Sequence, residues 1–345
     1  MLPLSDPSAL RIQLRQNIRN VQEETIVQDV ITHPDGIHAL DSGYGRPQLA
    51  AIHLIVHEGR AAIVDTGTNA SVPRVLAVLA GLGVAPDAVD WVLLTHIHLD
   101  HAGGAGSLMC ALPNARLVVH PRGMRHMADP SRLWEGTSAV YGAERAFALY
   151  GRIVPVPAER IRPATDGEVL QLGGRRLRIL DTPGHARHHL CIWDETARAF
   201  FTGDTFGLSY RELDVDGRAF VFPTTTPTQF DPDAMHASID RLMSYSPTAM
   251  YLTHYSRVTE VERLAADLHR LLDTQVAVAR AARGEGVARH VEILAGLEQI
   301  VREEAARQGW TVDENEALEV LRDDLVLNAQ GLGVWLDSLR EVETV

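Results

Sequence analysis

The stretch Val92-Leu93-Leu94-Thr95-His96-Ile97-His98-Leu99-Asp100-His101-Ala102-Gly103-Gly104 constrains this chain more than any other. It begins as an apolar run that reads as a buried strand and ends in three imidazoles and a carboxylate within six residues. Crowding those groups strips water from several of them at once, a cost that a cation between them offsets. In extended backbone His96 and His98 project to one side, alternating with Thr95, Ile97 and Leu99. A turn after Leu99 lets Asp100 and His101 approach from another side and serve a second ion. Gly103 and Gly104 allow that turn to run tight, with a helix starting close by.

The same rhythm, an apolar strand stopping at a polar ligand type, recurs along the chain. Ala61 to Val64 ends in Asp65-Thr66-Gly67-Thr68, where Asp65 reads as a helix cap or as the partner that holds the other ring nitrogen of a metal-bound histidine. Glu168 to Leu180, with a hairpin turn at Gly173-Gly174, runs into Asp181-Thr182-Pro183-Gly184-His185. Ala199 to Thr202 ends in Gly203-Asp204-Thr205, and Ala249 to Leu252 delivers Thr253-His254-Tyr255. Collected, the donors are His96, His98, Asp100, His101, His185, Asp204 and His254. Seven nitrogen and oxygen donors exceed one tetrahedral ion and suit two ions sharing a carboxylate. With no thiolate placed among them, zinc, manganese and iron all remain open.

The rest of the chain sets the frame. Residues 6–30 read as a helical arm with Leu10, Leu14, Ile18 and Val21 at helical spacing. From Gly36 strands dominate, with a helix from Val72 to Leu82, another from Ala102 to Cys110, and a helical stretch from Met124 to Tyr150 that carries Trp134, Tyr141, Phe147 and Tyr150. Val154 to Ile161 reads as a strand, and His120 as a residue of a pocket wall. After His254 the strand texture stops, and Val258–Arg283, Val287–Gln308 and Asp313–Leu325 read as helices. The expected division is therefore an N-terminal helical arm (1–35), a catalytic domain (36–255) and a helical appendage (256–345).

A formal net charge of -13 argues against a nucleic-acid partner. All 32 fixed cations are arginines, which excludes Schiff-base chemistry on a lysine. No apolar run approaches the roughly 18 residues of a membrane span, and the N-terminus lacks the pattern of a secretory signal, so a cytoplasmic location is expected. Cys110 and Cys191 are expected as two buried, reduced thiols. The apolar helical stripes at the two ends raise a homodimer as an expectation.

The ordered set of motifs resembles the metallo-β-lactamase superfamily, and within it the glyoxalase II-like branch. The family's His-x-His-x-Asp-His stands as His96-Ile97-His98-Leu99-Asp100-His101, and its later ligands match His185, Asp204 and His254 over roughly residues 36–255. The resemblance implies an α/β fold, a four-layer αβ/βα sandwich, here with an all-helical C-terminal extension. It implies a first metal on His96, His98 and His185, a second on Asp100, His101 and His254, and Asp204 bridging two divalent ions, zinc foremost and manganese or iron as alternatives. It further implies hydrolysis of a small ester-type substrate, a thioester first, by a hydroxide held between the ions, with Asp100 orienting it and taking its proton. Tyr255, which with Ser256 follows the last histidine where many relatives carry glycine, is a candidate donor to a substrate oxygen. A lactonase or phosphodiesterase would use the same site. A persulfide dioxygenase would use one iron on His96, His185 and Asp204, and a non-enzymatic regulator would keep the metals and use the helical ends as partner surfaces.

Overall fold

The structure, a computed structural model, describes residues 30–225 and 228–343. The helical arm read at 6–30 lies outside them except for its last residue, and residues 30–33 of the expected N-terminal segment form a strand, β1 (Val30–His33). Chain contacts divide the protein into two units, one running to Asp181 and including Ile192–Ala197, the other made of Thr182–Cys191 and the chain from Arg198 onward. The chain crosses between the two units at 181/182, 191/192 and 197/198.

The first unit is organised on a seven-stranded sheet in chain order: β1, β2 (Ile37–Asp41), β3 (Ala51–His57), β4 (Arg60–Val64), β5 (Val89–Leu93), β6 (Arg116–Val119) and β7 (Ile161–Pro163). From β1 to β4 the pairings are antiparallel. From β4 to β7 they are parallel. Glu58 and Gly59 both have positive φ and turn β3 into β4 in two residues, as a tight hairpin requires. Parallel neighbours need crossovers, and helix α1 (Val72–Gly81) supplies the one between β4 and β5, burying Val72, Val75, Val78 and Leu79. Those side chains join Leu54, Ile63, Val92 and Leu117 in one apolar core. Burial of this kind stabilises by about 25 cal/mol per Å² of apolar surface, so it holds α1 on the sheet.

After the central motif the helix expected from Ala102 to Cys110 is two pieces, α2 (Leu99–Ala102) and α3 (Ala105–Ala111). The start of α3 packs closely on neighbouring backbone. A Cβ on Gly104 would lie 2.6 Å from the Thr68 carbonyl oxygen, and one on Gly106 would lie 1.9 Å from that of Val154. The helical stretch beyond is α4 (Pro121–Ala128), α5 (Ser131–Tyr141) and α6 (Ala143–Tyr150). The strand read at Val154–Ile161 is not there; the chain is irregular to Pro157, makes one 3-10 turn at Ala158–Arg160 and enters β7 at Ile161. Pro155 and Pro157 lack the amide donors that a ladder needs.

Six further strands make the second, mixed sheet: β8 (Val169–Leu172), β9 (Arg175–Asp181), β10 (Leu190–Asp194), β11 (Ala199–Gly203), β12 (Ala249–Leu252) and β13 (Ser256–Val258). Gly173 and Gly174, both at positive φ, close the antiparallel β8–β9 hairpin. In the first unit Arg175 and Asp194, both buried, form an ion pair with Nε 2.9 Å from Oδ2.

In the second unit β11 and β12 are parallel, and β13 returns antiparallel to β12 with Leu252 opposite Ser256. Strand texture therefore outlasts His254 by one three-residue strand, too short to show a period of two in the sequence. Helix α7 (Pro232–Met243) is capped by the Asp231 carboxylate on the Ala234 amide. Helices α8 (Val261–Ala281), α9 (Gly286–Gln308), α10 (Glu314–Val320) and α11 (Arg322–Glu343) follow. The last runs 18 residues past the expected end at Leu325, because the weak helix formers Asn328, Gly331 and Gly333 hide it from a propensity reading. The expected α8 stripe of Val261, Leu264, Leu268, Leu271 and Leu272 is buried. Among the described residues no helix is long and apolar enough to cross a membrane.

Candidate metal centre

In the first unit, β4 and β5 end side by side and present Asp65 and Thr95. Asp65, at φ +58°, turns its carboxylate back into the protein. It accepts from the Thr95 amide at 2.9 Å, from the Thr95 hydroxyl at 2.9 and 3.0 Å, and from His101 Nδ1 at 2.9 Å. A carboxylate only accepts, so the single Thr95 hydroxyl proton goes to Asp65. The Thr95 oxygen, 3.1 Å from His96 Nδ1, then accepts the His96 Nδ1 proton. Both rings are thereby set in one tautomer, with the lone pair on Nε2. His101 Nε2 lies 3.4 Å from an Asp100 oxygen, and His96 Nε2 lies 2.9 Å from His98 Nδ1.

The backbone reinforces this set. The His101 carbonyl accepts from the Thr66 amide at 2.7 Å and from its hydroxyl at 2.8 Å, and Gly104 donates to the Gly67 carbonyl at 2.9 Å. Those contacts hold α2 against the loop after β4, which is why Asp65 and His101 meet across 36 residues of sequence. His96 and His101 are fully buried; His98 and Asp100 are partly exposed.

In the second unit the donors come from three separate strand ends. Gly184, at φ +142°, passes so close to α7 that a Cβ would lie 2.4 Å from the Met235 Cα. That approach presents His185, whose Nδ1 is 2.9 Å from the Thr224 hydroxyl. Thr224 donates its own proton to the Asp204 carbonyl at 3.2 Å. Its oxygen therefore accepts from His185 Nδ1, and the His185 lone pair is on Nε2. That nitrogen lies 3.4 Å from one Asp204 carboxylate oxygen, and His254 Nε2 lies 3.7 Å from the other. Thr224 thus sets His185 as Thr95 sets His96.

One residue of this network goes unread in the sequence. His189 is fully buried; its Nε2 accepts from the Asp204 amide at 3.1 Å, so its Nδ1 carries the proton, within 3.0 Å of the Thr182 and Thr205 hydroxyls. It anchors the backbone that carries Asp204. The signal was the run His185-Ala186-Arg187-His188-His189, in which spacing alone does not say which imidazole points inward.

The remaining candidates are placed as follows. Tyr255 is 1% exposed, its amide donating to the Ser209 carbonyl at 3.2 Å. His120 caps α4, its Nδ1 accepting from the Arg122 amide at 3.1 Å, and is not a ligand of either set. Both cysteines are reduced thiols; Cys191 is buried as expected, but Cys110 is only half-buried because it lies in the last turn of short α3. Beside α2, Tyr150 stacks on Tyr44 with their hydroxyls 2.9 Å apart, and burial, then the Asp100 carboxylate, pushes its hydroxyl well above the ordinary tyrosine range.

Both sets fit divalent metal by the chemistry of their donors. They offer nitrogen and oxygen only, and His96, His101 and His185 each have the far ring nitrogen tied to a protein oxygen, the arrangement that orients metal ligands.

The metallo-beta-lactamase superfamily profile matches residues 45–254 of this chain. A metallo-beta-lactamase fold-containing protein, ST1585 of Sulfurisphaera tokodaii, is 25% identical over 224 residues, 64% of this chain and 78% of that one. Its crystal structure superposes with a TM-score of 0.61 at 22% identity, covering 87% of this chain and 99% of that one. A hydroxyacylglutathione hydrolase of Acidiphilium cryptum is 30% identical over 234 residues, 67% of this chain and 74% of its own. The acyl-coenzyme A thioesterase MBLAC2 of Gallus gallus is 29% identical over 161 residues, 45% of this chain and 57% of its own. With the profile spanning well over half of its length and every motif of the ligand pattern inside that span, the chain belongs to the metallo-beta-lactamase superfamily.

Proposed function

We propose that this protein is a dinuclear metal-dependent hydrolase of small thioesters or related esters. The carrying observation is the matched tautomer control, in which a threonine hydroxyl sets His96 in one unit and His185 in the other, with Asp65 doing the same for His101. In this reading His96, His98 and His185 would hold one ion and Asp100, His101 and His254 the other, with Asp204 as the shared carboxylate, as the order of the motifs implies. Zinc suits the nitrogen-rich set, with manganese or iron as alternatives. Bound divalent ions would lower the pKa of a water and polarise the substrate carbonyl.

The chain's own residues do the rest. Asp100, partly exposed and next to ligand His101, accepts the proton of the attacking water. Asp65 keeps His101 in the tautomer that can bind metal, and the Tyr255 hydroxyl donates to a substrate oxygen. The thioester class is supported by the relatives named as a hydroxyacylglutathione hydrolase and an acyl-coenzyme A thioesterase. A small-molecule substrate, and neither nucleic acid nor membrane, suits a chain of this acidity, and two reduced cysteines suit the cytoplasm.

The test pairs elemental analysis of protein purified without chelators with a panel of thioesters, lactones and phosphodiesters. Two zinc, manganese or iron ions per chain and thioester turnover are expected. A single iron that persists after loading with excess iron and zinc, or full metal with no turnover on the panel, would overturn the reading.

A further inference from the structure

Away from these ligands, α7 and α8 carry a second histidine pair with an internal symmetry. Each helix supplies a histidine and, four residues on, an aspartate: His236 and Asp240 on α7, His269 and Asp273 on α8. Each histidine leans on the other helix's carboxylate, His236 Nε2 at 3.1 Å from Asp273 and His269 Nε2 at 3.1 Å from Asp240. The two Nδ1 atoms face each other at 2.6 Å. The rings are inclined by only 6° with centroids 4.9 Å apart, so the nitrogens meet edge to edge rather than face to face.

The proton count makes this arrangement informative. A carboxylate only accepts, so each Nε2 carries the proton of its neutral ring, and each Nδ1 presents a lone pair. Two lone pairs 2.6 Å apart repel unless a positive species, a proton or a metal ion, lies between them. Imidazoles whose far nitrogen donates to a carboxylate are built as metal ligands. Zinc–imidazole bonds of about 2.0–2.1 Å on a tetrahedral centre would put the two nitrogens about 3.3 Å apart. Opening the pair by roughly 0.7 Å, a small side-chain adjustment, reaches that spacing. The site is accessible, the histidine side chains being 26% and 28% exposed and the carboxylates 76% and 75%, which leaves the remaining coordination positions to water. Imidazole nitrogen favours zinc, copper or nickel over magnesium or calcium.

We propose that His236 and His269 form a surface site for a divalent transition metal that clips α7 to α8, with Asp240 and Asp273 orienting the two rings. It shares no residue with the seven candidate ligands of the buried centre, so it stands or falls independently of the hydrolase reading.

The experiment is calorimetric titration of metal-replete protein with zinc and with nickel in chelator-free buffer. We expect one equivalent beyond the buried centre, lost in the His236→Ala/His269→Ala double variant with hydrolase activity unchanged. Asp240→Asn/Asp273→Asn, which alters only exposed carboxylates, should weaken that equivalent 10- to 100-fold, and it decides the matter alone if the histidine variant does not fold. A wild-type titration without the extra equivalent, as a pair joined by a shared proton would give, overturns the proposal. So does an equivalent that survives either double substitution at full strength.

Discussion

The two candidate ligand sets reach similar chemistry by opposite routes. In the first unit four donors come from one hexapeptide at the end of β5, and a single carboxylate, Asp65, gathers the strand end and His101 through three partners. In the second unit three donors come from three strand ends spread over 70 residues, and two of them are braced separately, His185 by Thr224 and the backbone of Asp204 by His189. A contiguous set needs one brace, because the backbone already fixes its internal spacing. A dispersed set needs a brace for each element, and its error grows with every loop left unbraced.

Substitutions separate the two routes. Asp204→Ala should have the largest effect, since Asp204 faces both His185 and His254; metal content by elemental analysis and turnover should both be abolished. A variant that kept both would show the dispersed set to be dispensable. Asp65→Asn comes next. The amide cannot accept from Thr95 and His101 at both of its positions, so metal affinity should fall about 10- to 100-fold with the circular-dichroism spectrum retained. An unchanged affinity would mean that the hexapeptide holds its own geometry.

Tyr255→Phe should lower kcat about tenfold at unchanged metal content, the worth of one hydrogen bond of about 1.4 kcal/mol. Equal kcat in the two proteins would reduce Tyr255 to packing. His189→Gln should have the smallest effect on turnover, a few-fold. Its main cost is in stability, about 1–3 kcal/mol for a buried amide left without its acceptor, read as a lower melting temperature. If turnover instead collapsed as in Asp204→Ala, His189 would belong with the ligands rather than with their support.

The same contrast governs what could be read in advance. The hexapeptide was legible because strand alternation and a glycine pair state their geometry locally, and Asp65 only as one of two readings, a helix cap or the partner of a metal-bound histidine. His185, Asp204 and His254 were legible only together, as an ordered pattern. His189 was not, since its role depends on the Asp204 amide 15 residues away. Nor was the His236–His269 contact, which joins two helices 33 residues apart and is set by how α7 packs on α8.

By itself the sequence determined the alternation of strands and helices, the donor types and their order, and hence the superfamily. Local chemistry suffices for that: hydrophobic period, turn residues, and the cost of crowding imidazoles at a strand end. Only the tertiary structure decided which nitrogen of each ring carries its proton, that α2 and α3 are two helices, that β13 follows the last ligand, and that Pro155 and Pro157 cost the chain a strand. Each of those depends on a hydrogen-bond partner or a close backbone approach from a distant segment, which no local pattern encodes.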